Sequence, residues 1–228
     1  MIQVTRLGTV FRGSKPDMDR LGAEFAEQSC VTLEGFLEPE LVTIVQTRIE
    51  QSDFYDRIHE QIGPNKELCM VPGFVHNLLH LLLNRRELFE LIHVISQCEH
   101  IGSFRGRVYR VVPNHGHFDD WHDDLVDYRL VGMSINLSTE RYSGGLFQLR
   151  DCSSGQIINE IANVGFGDAI LFKLASHLEH RITPVEGIAS KTAFAGWFKS
   201  QPHFLDLLKA QDDPGSKDEF HRVTTKGT

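Results

Sequence analysis

The chain has 228 residues, and 41% of them are hydrophobic, which is typical of a globular domain with a sizeable core. Its 23 Lys and Arg residues against 31 Asp and Glu residues give a formal net charge of −8. No dense basic run is present, which argues against binding of nucleic-acid phosphates, and no apolar stretch is long enough to cross a bilayer. The four cysteines lie far apart and the first residues lack a signal-peptide pattern, so we expect reduced thiols and a cytoplasmic protein.

The first hundred residues are predicted to be mainly helical. Three segments have apolar residues at helical spacing and are predicted as helices: 17–28, 38–51 and 74–98, the last of them one helix or two helices jointed near Asn84. Pro39 suits the first turn of the second helix. Cys30–Leu33 is a short predicted strand. The irregular segment Tyr55–Gly73 is expected to be part of a lid.

After Ile101 the pattern changes to short strands separated by turns that contain Gly, Asn and Pro. The predicted strands are 108–112, 130–137, 146–149, 156–161, 169–172, 181–185 and 192–198. A helix is predicted from Pro202 to about Lys209, and residues 211–228 are expected to be a poorly ordered tail. We therefore expect one domain over residues 1–210, with a helical part (1–100) that supports an all-β part (101–200).

His122-Asp123-Asp124 and the distant His180 are the most informative residues. Side chains alternate along a strand, so His122 and Asp124 are expected to point the same way and Asp123 away from them. Two imidazoles and one carboxylate are the ligand set of a facial triad, which binds Fe(II) by one face and leaves the other open. The third ligand must then lie on a strand folded back alongside, as in a jelly-roll or cupin-like barrel.

From Tyr109 to Phe198 the chain resembles the 2-oxoglutarate/Fe(II)-dependent oxygenases, in particular the prolyl-hydroxylase-like branch. That pattern has a Tyr-bearing strand, His-x-Asp, a Leu-Asn/Ser strand end, a Gly-Gly turn, a distal His before Pro-Val, a basic residue and Trp-Phe. The corresponding residues are Tyr109, His122 with Asp124, Asn136-Leu137-Ser138, Gly144-Gly145-Leu146-Phe147, His180, Pro184-Val185, Lys191 and Trp197-Phe198. Each feature is weak alone, but their shared order is specific.

Several other histidines could be mistaken for ligands. His117-Phe118-Asp119 repeats the His-x-Asp pattern, but the distance to the strand after Arg129 favours His122 and Asp124. We interpret His117 and Asp119 as loop residues near the mouth of the site, and His177 as a rim residue. His76 and His80 share a helix face and could bind zinc, yet their leucine-rich surroundings favour core packing.

The resemblance implies a double-stranded β-helix of α+β class with N-terminal buttressing helices. It also implies Fe(II) bound by His122, Asp124 and His180, with 2-oxoglutarate as cosubstrate and O2 as oxidant. The far carboxylate of 2-oxoglutarate needs a buried cation, and the family's position for it is occupied by Lys191. Tyr109 is the expected second donor. The polar face of strand 130–137 is expected to bring two further cosubstrate contacts, Ser134 and Asn136, into the cavity.

The implied reaction is hydroxylation of an unactivated C–H bond, with release of succinate and CO2. The substrate is an amino acid, a peptide or protein side chain, or a small metabolite. Asp124 argues against halogenation, because halogenating relatives have a small residue there, whereas desaturation and cyclisation use the same ligands. The alternatives are a non-catalytic cupin-like module that binds metal or ligand, and a metal-dependent cupin hydrolase or isomerase. Lys191 beside a complete triad favours the oxygenase.

Four arginines lie near the proposed mouth of the site: Arg107, Arg110, Arg150 and Arg181. Any of them could contact an anionic group. We interpret all four as solvated surface residues, because arginine is seldom buried without a partner.

Overall fold

A computed structural model describes residues 1–59, 65–163 and 165–201. The predicted helix from Pro202 and the predicted tail lie outside the described residues. None of the helices in the described ranges is long and apolar enough to cross a membrane.

The helices lie in the first hundred residues, as predicted. They are α1 (Lys15–Gln28), α2 (Pro39–Glu50), α3 (Phe74–Leu83) and α4 (Arg86–Ser96). Proline in the first turn favours the start of α1 and α2. Between α3 and α4, the amide of Asn84 donates to the carbonyl groups of His80 and Phe104 and accepts the Phe104 N–H. These bonds explain why the predicted joint near Asn84 separates two helices.

The strands fall into four sheets. Their bounds are β1 (Ile2–Thr5), β2 (Gly8–Phe11), β3 (Cys30–Leu33), β4 (Phe54–His59), β5 (Asn65–Met70), β6 (Ser103–Val111), β7 (Arg129–Asn136), β8 (Ser143–Gly144), β9 (Phe147–Asp151), β10 (Ile157–Ile161), β11 (Ala169–Lys173), β12 (Leu178–Ile182), β13 (Val185–Glu186) and β14 (Lys191–Lys199). The largest sheet is antiparallel in the order β3-β11-β7-β14-β6-β5-β4. A smaller sheet runs β10-β9-β12, and two-stranded pairs are formed by β1 with β2 and by β8 with β13.

The two faces of the large sheet have different roles. One face packs on the helices and forms the main core; β14 contributes Phe194 and Phe198 to it, beside Leu79 of α3 and Leu88 of α4. The opposite face looks toward the smaller sheet, so that side chains in the alternate positions of β6, β7 and β14 line a cavity between the two sheets. The predicted α+β jelly-roll fold is confirmed in this arrangement.

Two features of the fold differ from the prediction. Strands β1, β2, β4, β5 and β8 were not predicted, and β4 and β5 form an edge hairpin of the large sheet from the segment expected to be part of a lid. The strand predicted over 181–185 is wrong in its bounds, since β12 ends at Ile182 and β13 begins at Val185. Pro184 lies between them and has no N–H to donate to a ladder.

Candidate metal centre

His122, Asp124 and His180 form a cluster in the wall of the cavity. Their ligand atoms all lie within 4.8 Å of one another. The Nε2 atoms of His180 and His122 are 3.3 and 3.6 Å from Oδ2 of Asp124. Asp124 and His180 are buried, and His122 is nearly so. Two imidazole nitrogens and a carboxylate oxygen that converge on one point fit a divalent metal, Fe(II) included.

Local backbone structure brings the three side chains together. His122 and His180 form an antiparallel bridge, in which the N–H of each donates to the carbonyl of the other at 3.1 and 2.9 Å. The expectation that Asp124 follows His122 on a continuous strand is wrong. Asp124 lies in a loop with φ of 59°, a left-handed conformation that Asp tolerates better than most residues. This turn directs its carboxylate to the histidines.

Each histidine presents Nε2 to the carboxylate of Asp124. Nδ1 of His122 lies 2.6 Å from the carbonyl oxygen of Asp120, so it carries the proton and leaves Nε2 as a lone-pair donor. The ring of His180 packs between Phe172 and Phe147, with centroids 4.6 and 5.9 Å away. Burial lowers the pKa of His180, which favours the neutral imidazole that metals bind. Gly132 makes room for Phe172, because a Cβ there would lie 2.1 Å from that ring.

The carboxylate of Asp124 is oriented by two further residues. Nη1 of Arg129 donates to Oδ1 at 2.8 Å, and Nε1 of Trp197 donates to Oδ2 at 2.7 Å. The Arg129 guanidinium also lies 3.6 Å over the Trp197 ring. Burial alone would raise the pKa of Asp124, but hydrogen bonding from His180 and the nearby charges hold it far below its usual value. The carboxylate is therefore ionised and fixed in direction before any metal binds.

Lys191 is buried at the start of β14. Its Nζ donates to the carbonyl oxygen of Gly145 at 2.8 Å, and it lies 5.7 Å from the centre of the Tyr142 ring. Gly145 leaves room for it, since a Cβ at that position would lie 3.2 Å from Cδ of Lys191. No carboxylate in the described ranges is within ion-pair distance of Nζ. Burial lowers the pKa of Lys191 to about 8, opposed by the charge of Asp119. A buried cation with one neutral partner fits an anionic ligand.

The other predicted cosubstrate contacts divide into two groups. Tyr109 and Ser134 line the cavity, and no described residue hydrogen-bonds the Tyr109 hydroxyl. They flank two small residues of β14: Ala193 pairs with Tyr109, and Ala195 pairs with Ser134. The short side chains leave space over the sheet for a ligand.

Asn136 does not line the cavity. Its Nδ2 donates to the carbonyl of Gly165 at 3.1 Å, and its Oδ1 accepts the Ser138 N–H at 3.1 Å. These bonds hold the turns at the end of β7, and the role of Asn136 in cosubstrate binding stays a prediction.

The alternative histidines lie outside the cluster. His117 accepts the Val112 N–H at Nδ1, 2.8 Å away, and so holds the loop after β6. His177 is exposed in the turn before β12. His80 is buried with Nδ1 2.8 Å from the His76 carbonyl and Nε2 accepting the Gly106 N–H at 3.1 Å, which agrees with core packing.

Asp119 is closer to the site than its interpretation as a residue of the mouth suggests. Its Oδ2 accepts the Ile182 N–H at 2.8 Å, whereas Oδ1 is buried without a hydrogen bond and lies 3.6 Å from Nδ1 of His122. Burial raises the pKa of Asp119 to about 6, against the effect of His122. The carboxylate ties the loop that carries His122 to the end of β12.

The interpretation of four solvated arginines is wrong. Arg107 lines the cavity and pairs with Glu67, with Nη2 2.7 Å from Oε1. Arg110 pairs with Glu50, and Arg150 with Glu179. Arg181 donates to Gln148, and both Arg150 and Arg181 stack on Trp121. Alternation along the strand could have identified Arg107, because it lies two residues from Tyr109 and therefore on the same face.

Comparisons with known proteins agree with this geometry. Residues 106–199 match the family model of the 2OG-Fe(II) oxygenase superfamily. A prolyl-4-hydroxylase from Pseudomonas putida is similar in fold, with a TM-score of 0.59 and 18% identity over 82% of this chain and 100% of that one. A comparison with curated proteins gives no match.

Two further solved structures have the same fold. A prolyl hydroxylase from Trichoplax adhaerens, in complex with a hypoxia inducible factor oxygen degradation domain peptide fragment, has a TM-score of 0.61 and 15% identity over 87% of this chain and 93% of that one. The epimerase SnoN from nogalamycin biosynthesis, in complex with Fe3+, alpha ketoglutarate and nogalamycin RO, has a TM-score of 0.60. Its sequence is 10% identical over 90% of this chain and 93% of that one. The segment from β6 to β14 thus matches the model of the 2OG-Fe(II) oxygenase superfamily, and the chain has the fold of the prolyl hydroxylases.

Proposed function

We propose that this protein is a 2-oxoglutarate-dependent hydroxylase in which His122, Asp124 and His180 hold Fe(II) and Lys191 binds the far carboxylate of 2-oxoglutarate. The observation that carries the proposal is a buried lysine without a described carboxylate partner in the same barrel as a His-Asp-His cluster. An unpaired buried charge costs several kcal/mol, so the site is built for an anion that is supplied from outside the chain.

The proposed reaction accounts for both atoms of O2. One oxygen atom enters 2-oxoglutarate, which loses CO2 and becomes succinate, and the other is inserted between carbon and hydrogen of the substrate to give an alcohol. Fe(II), when bound, supplies the centre that couples oxidation of 2-oxoglutarate to oxidation of the substrate. The rest of the chemistry depends on how the protein holds the reactants.

Three residues are proposed to hold the cosubstrate. The Lys191 ammonium is fixed by its bond to the Gly145 carbonyl, so it can pair with a carboxylate without first being ordered. The hydroxyl of Tyr109, which no described residue engages, is available as a second donor. Ser134 lies on the neighbouring strand across Ala195 and can donate from the other side.

Aromatic side chains are proposed to keep water from the reacting centre. Phe147 and Phe172 cover the ring of His180, and Trp197 covers Asp124 from the side of β14. An apolar wall of this kind strengthens the electrostatic contacts inside it and protects a reactive centre from side reactions.

The alternatives of a cupin-like binding module and a metal-dependent cupin hydrolase or isomerase also use a metal cluster. Neither needs a buried cation for a dicarboxylate, and this is why Lys191 favours the oxygenase. The substrate is proposed to be a small molecule or a peptide. One structural relative is named an epimerase, so the product assay should measure whether oxygen from isotopically labelled O2 enters the substrate.

The decisive experiment is anaerobic titration of metal-free protein with Fe(II) and then 2-oxoglutarate, with detection of the visible metal-to-ligand charge-transfer band. We expect a band that needs both additions, and succinate once air is admitted. Fe(II) binding without the band or succinate would reject the oxygenase and favour the hydrolytic or binding alternatives.

A further inference from the structure

We infer that Glu67 and Arg107 form a subsite for the charged end of a free α-amino acid, so that Glu67 binds its ammonium group and Arg107 its carboxylate. We call these two side chains the charged wall. This inference rests on the proposed function and adds a substrate class to it. Glu67 lies on β5 and Arg107 on β6, and both line the cavity that holds the His-Asp-His cluster.

The described hydrogen bonds to the Glu67 carboxylate all involve one of its two oxygen atoms, Oε1. Oε1 of Glu67 accepts from Nε and Nη2 of Arg107 at 2.8 and 2.7 Å, from Nη1 of Arg57 at 3.4 Å, and from Sγ of Cys69 at 3.4 Å. Among residues 1–59, 65–163 and 165–201, none donates to Oε2 of Glu67, and none accepts from Nη1 of Arg107. The pair therefore has one negative acceptor and one positive donor unused beside the cavity.

Glu67 is kept ionised although it is only 7% exposed. Burial alone would raise its pKa, but Arg107 and Arg57 hold the pKa below its usual value. Neither Oε2 of Glu67 nor Nη1 of Arg107 is among the described atoms that are buried without a partner, so both atoms are accessible to a ligand or to water.

The position of the charged wall suits a substrate of the proposed reaction. Arg107 stands opposite Ala195 and lies 5.7 Å from the centre of the Trp197 ring, whose Nε1 is bonded to Asp124. A group held by the wall is therefore separated from the metal ligands by one side chain. Lys191, the residue proposed to bind 2-oxoglutarate, lies on the same face of β14, four residues before Ala195.

The cavity favours a small molecule over a polypeptide. The loop before His122 crosses from β5 to β12: Phe118 exchanges two backbone hydrogen bonds with Lys66, at 3.0 and 3.1 Å, and Asp119 accepts the Ile182 N–H. Phe118 and Ile182 line the cavity on this side. The cavity is therefore bounded by backbone on this side, which suits a small molecule.

The signs of the charges select a zwitterion. A dicarboxylate would place one negative group against Oε2 of Glu67, and a diamine would place a positive group against Arg107; like charges in a site of low polarity repel strongly. An α-amino acid presents an ammonium and a carboxylate on one carbon, which can meet both unused groups. Its side chain would then extend along the apolar lining toward Trp197.

The test uses the Fe(II)-loaded protein with 2-oxoglutarate and the coded free L-amino acids, each compared with its N-acetyl and carboxamide forms. Binding is measured anaerobically by calorimetry, and succinate formation is measured in air. We expect at least one free amino acid to bind and stimulate succinate formation, and each blocked form of it to bind at least about tenfold more weakly. Equal binding of the blocked forms, or no binding by any free amino acid, would overturn the inference.

Glu67→Gln tests the residue itself, because it keeps the size and an oxygen acceptor for Arg107 but removes the charge. We expect the KM for the amino acid to rise at least about tenfold, with the anaerobic charge-transfer band retained. Glu179→Gln is the matched control, since Glu179 is also paired with an arginine but does not line the cavity. An unchanged KM in Glu67→Gln would overturn the assignment.

The two levels of proposal fail separately. Absence of the charge-transfer band in the unaltered protein would contradict the proposed oxygenase function. A normal band with no preference for free amino acids would contradict only the charged wall. If Glu67→Gln does not fold, the comparison of free and blocked amino acids on the unaltered protein still tests whether the substrate is a free amino acid.

Discussion

The metal cluster and the charged wall line one cavity, but they draw on different parts of the chain. All three cluster residues fall within the segment that matches the oxygenase superfamily, and their partners Arg129 and Trp197 do too. In the charged wall, Arg107 also lies in that segment, whereas Glu67 lies outside it, on β5 of the edge hairpin that the sequence did not predict. In the proposed function, the matched barrel carries the reaction, and the edge hairpin adds Glu67 to the residues that bind the substrate.

The strongest test of the reaction side removes a metal ligand. His180→Ala leaves one imidazole and one carboxylate, which is too few for a stable Fe(II) site, so we expect the charge-transfer band and succinate formation to be lost. His117→Ala is the matched control, because His117 only accepts a backbone N–H in the loop, and it should retain most activity. If His117→Ala were as inactive as His122→Ala, the assignment of the ligands would be incorrect.

Lys191→Ala separates cosubstrate binding from metal binding. Removing one partner of a buried charge pair costs about 2 kcal/mol or more, so we expect the Kd for 2-oxoglutarate to rise at least about 30-fold. Fe(II) affinity should change little, because Lys191 contacts none of the three ligands. Lys173→Ala, at an exposed position of β11, serves as the control in the same calorimetric titration. Unchanged 2-oxoglutarate affinity would remove Lys191 from the site.

Trp197→Phe tests whether orientation of Asp124 matters. The substitution keeps an aromatic ring near Arg129 but removes the donor to Oδ2, and loss of such a partner typically lowers metal affinity about tenfold or more. Trp121→Phe is the control, since Trp121 stacks on two arginines and, among the described residues, makes no hydrogen bond to Asp124. The Kd for Mn(II), measured by magnetic resonance, would show the difference. Equal affinities in the two variants would mean that Trp197 has no orienting role.

The smallest expected effect is on the pH dependence of cosubstrate affinity. Burial lowers the pKa of Lys191 to about 8 in the free protein, and the protonated form is the one that pairs with a carboxylate. Affinity for 2-oxoglutarate should therefore fall as the pH rises, by up to about tenfold between about pH 7 and about pH 9. The fall should be absent in Lys191→Ala. A fall of the same size in that variant would assign it to another group.

The sequence predicted most elements that bury an apolar face. Helices α1 and α2 agree with prediction to within a few residues, and β3 agrees at both ends. The edge hairpin of β4 and β5 was not predicted, because its strands carry charged residues such as Arg57 and Glu67 and lack the apolar runs of the more central strands. Arg107 was taken for a surface residue because the sequence does not show the carboxylate that pairs with it.

The sequence by itself was enough to predict the chemistry that we propose for this protein. The order of His122, Asp124, His180 and Lys191 along the chain is specific, because each residue type has a distinct affinity for metal or anion. The tertiary structure decided how those residues are held. The bonds from Arg129 and Trp197 to Asp124, and the diagonal reach of Glu67 to Arg107, join residues that are far apart in the chain or on different strands. Such contacts depend on strand register and on the burial of charge, which exist only once the sheets have packed.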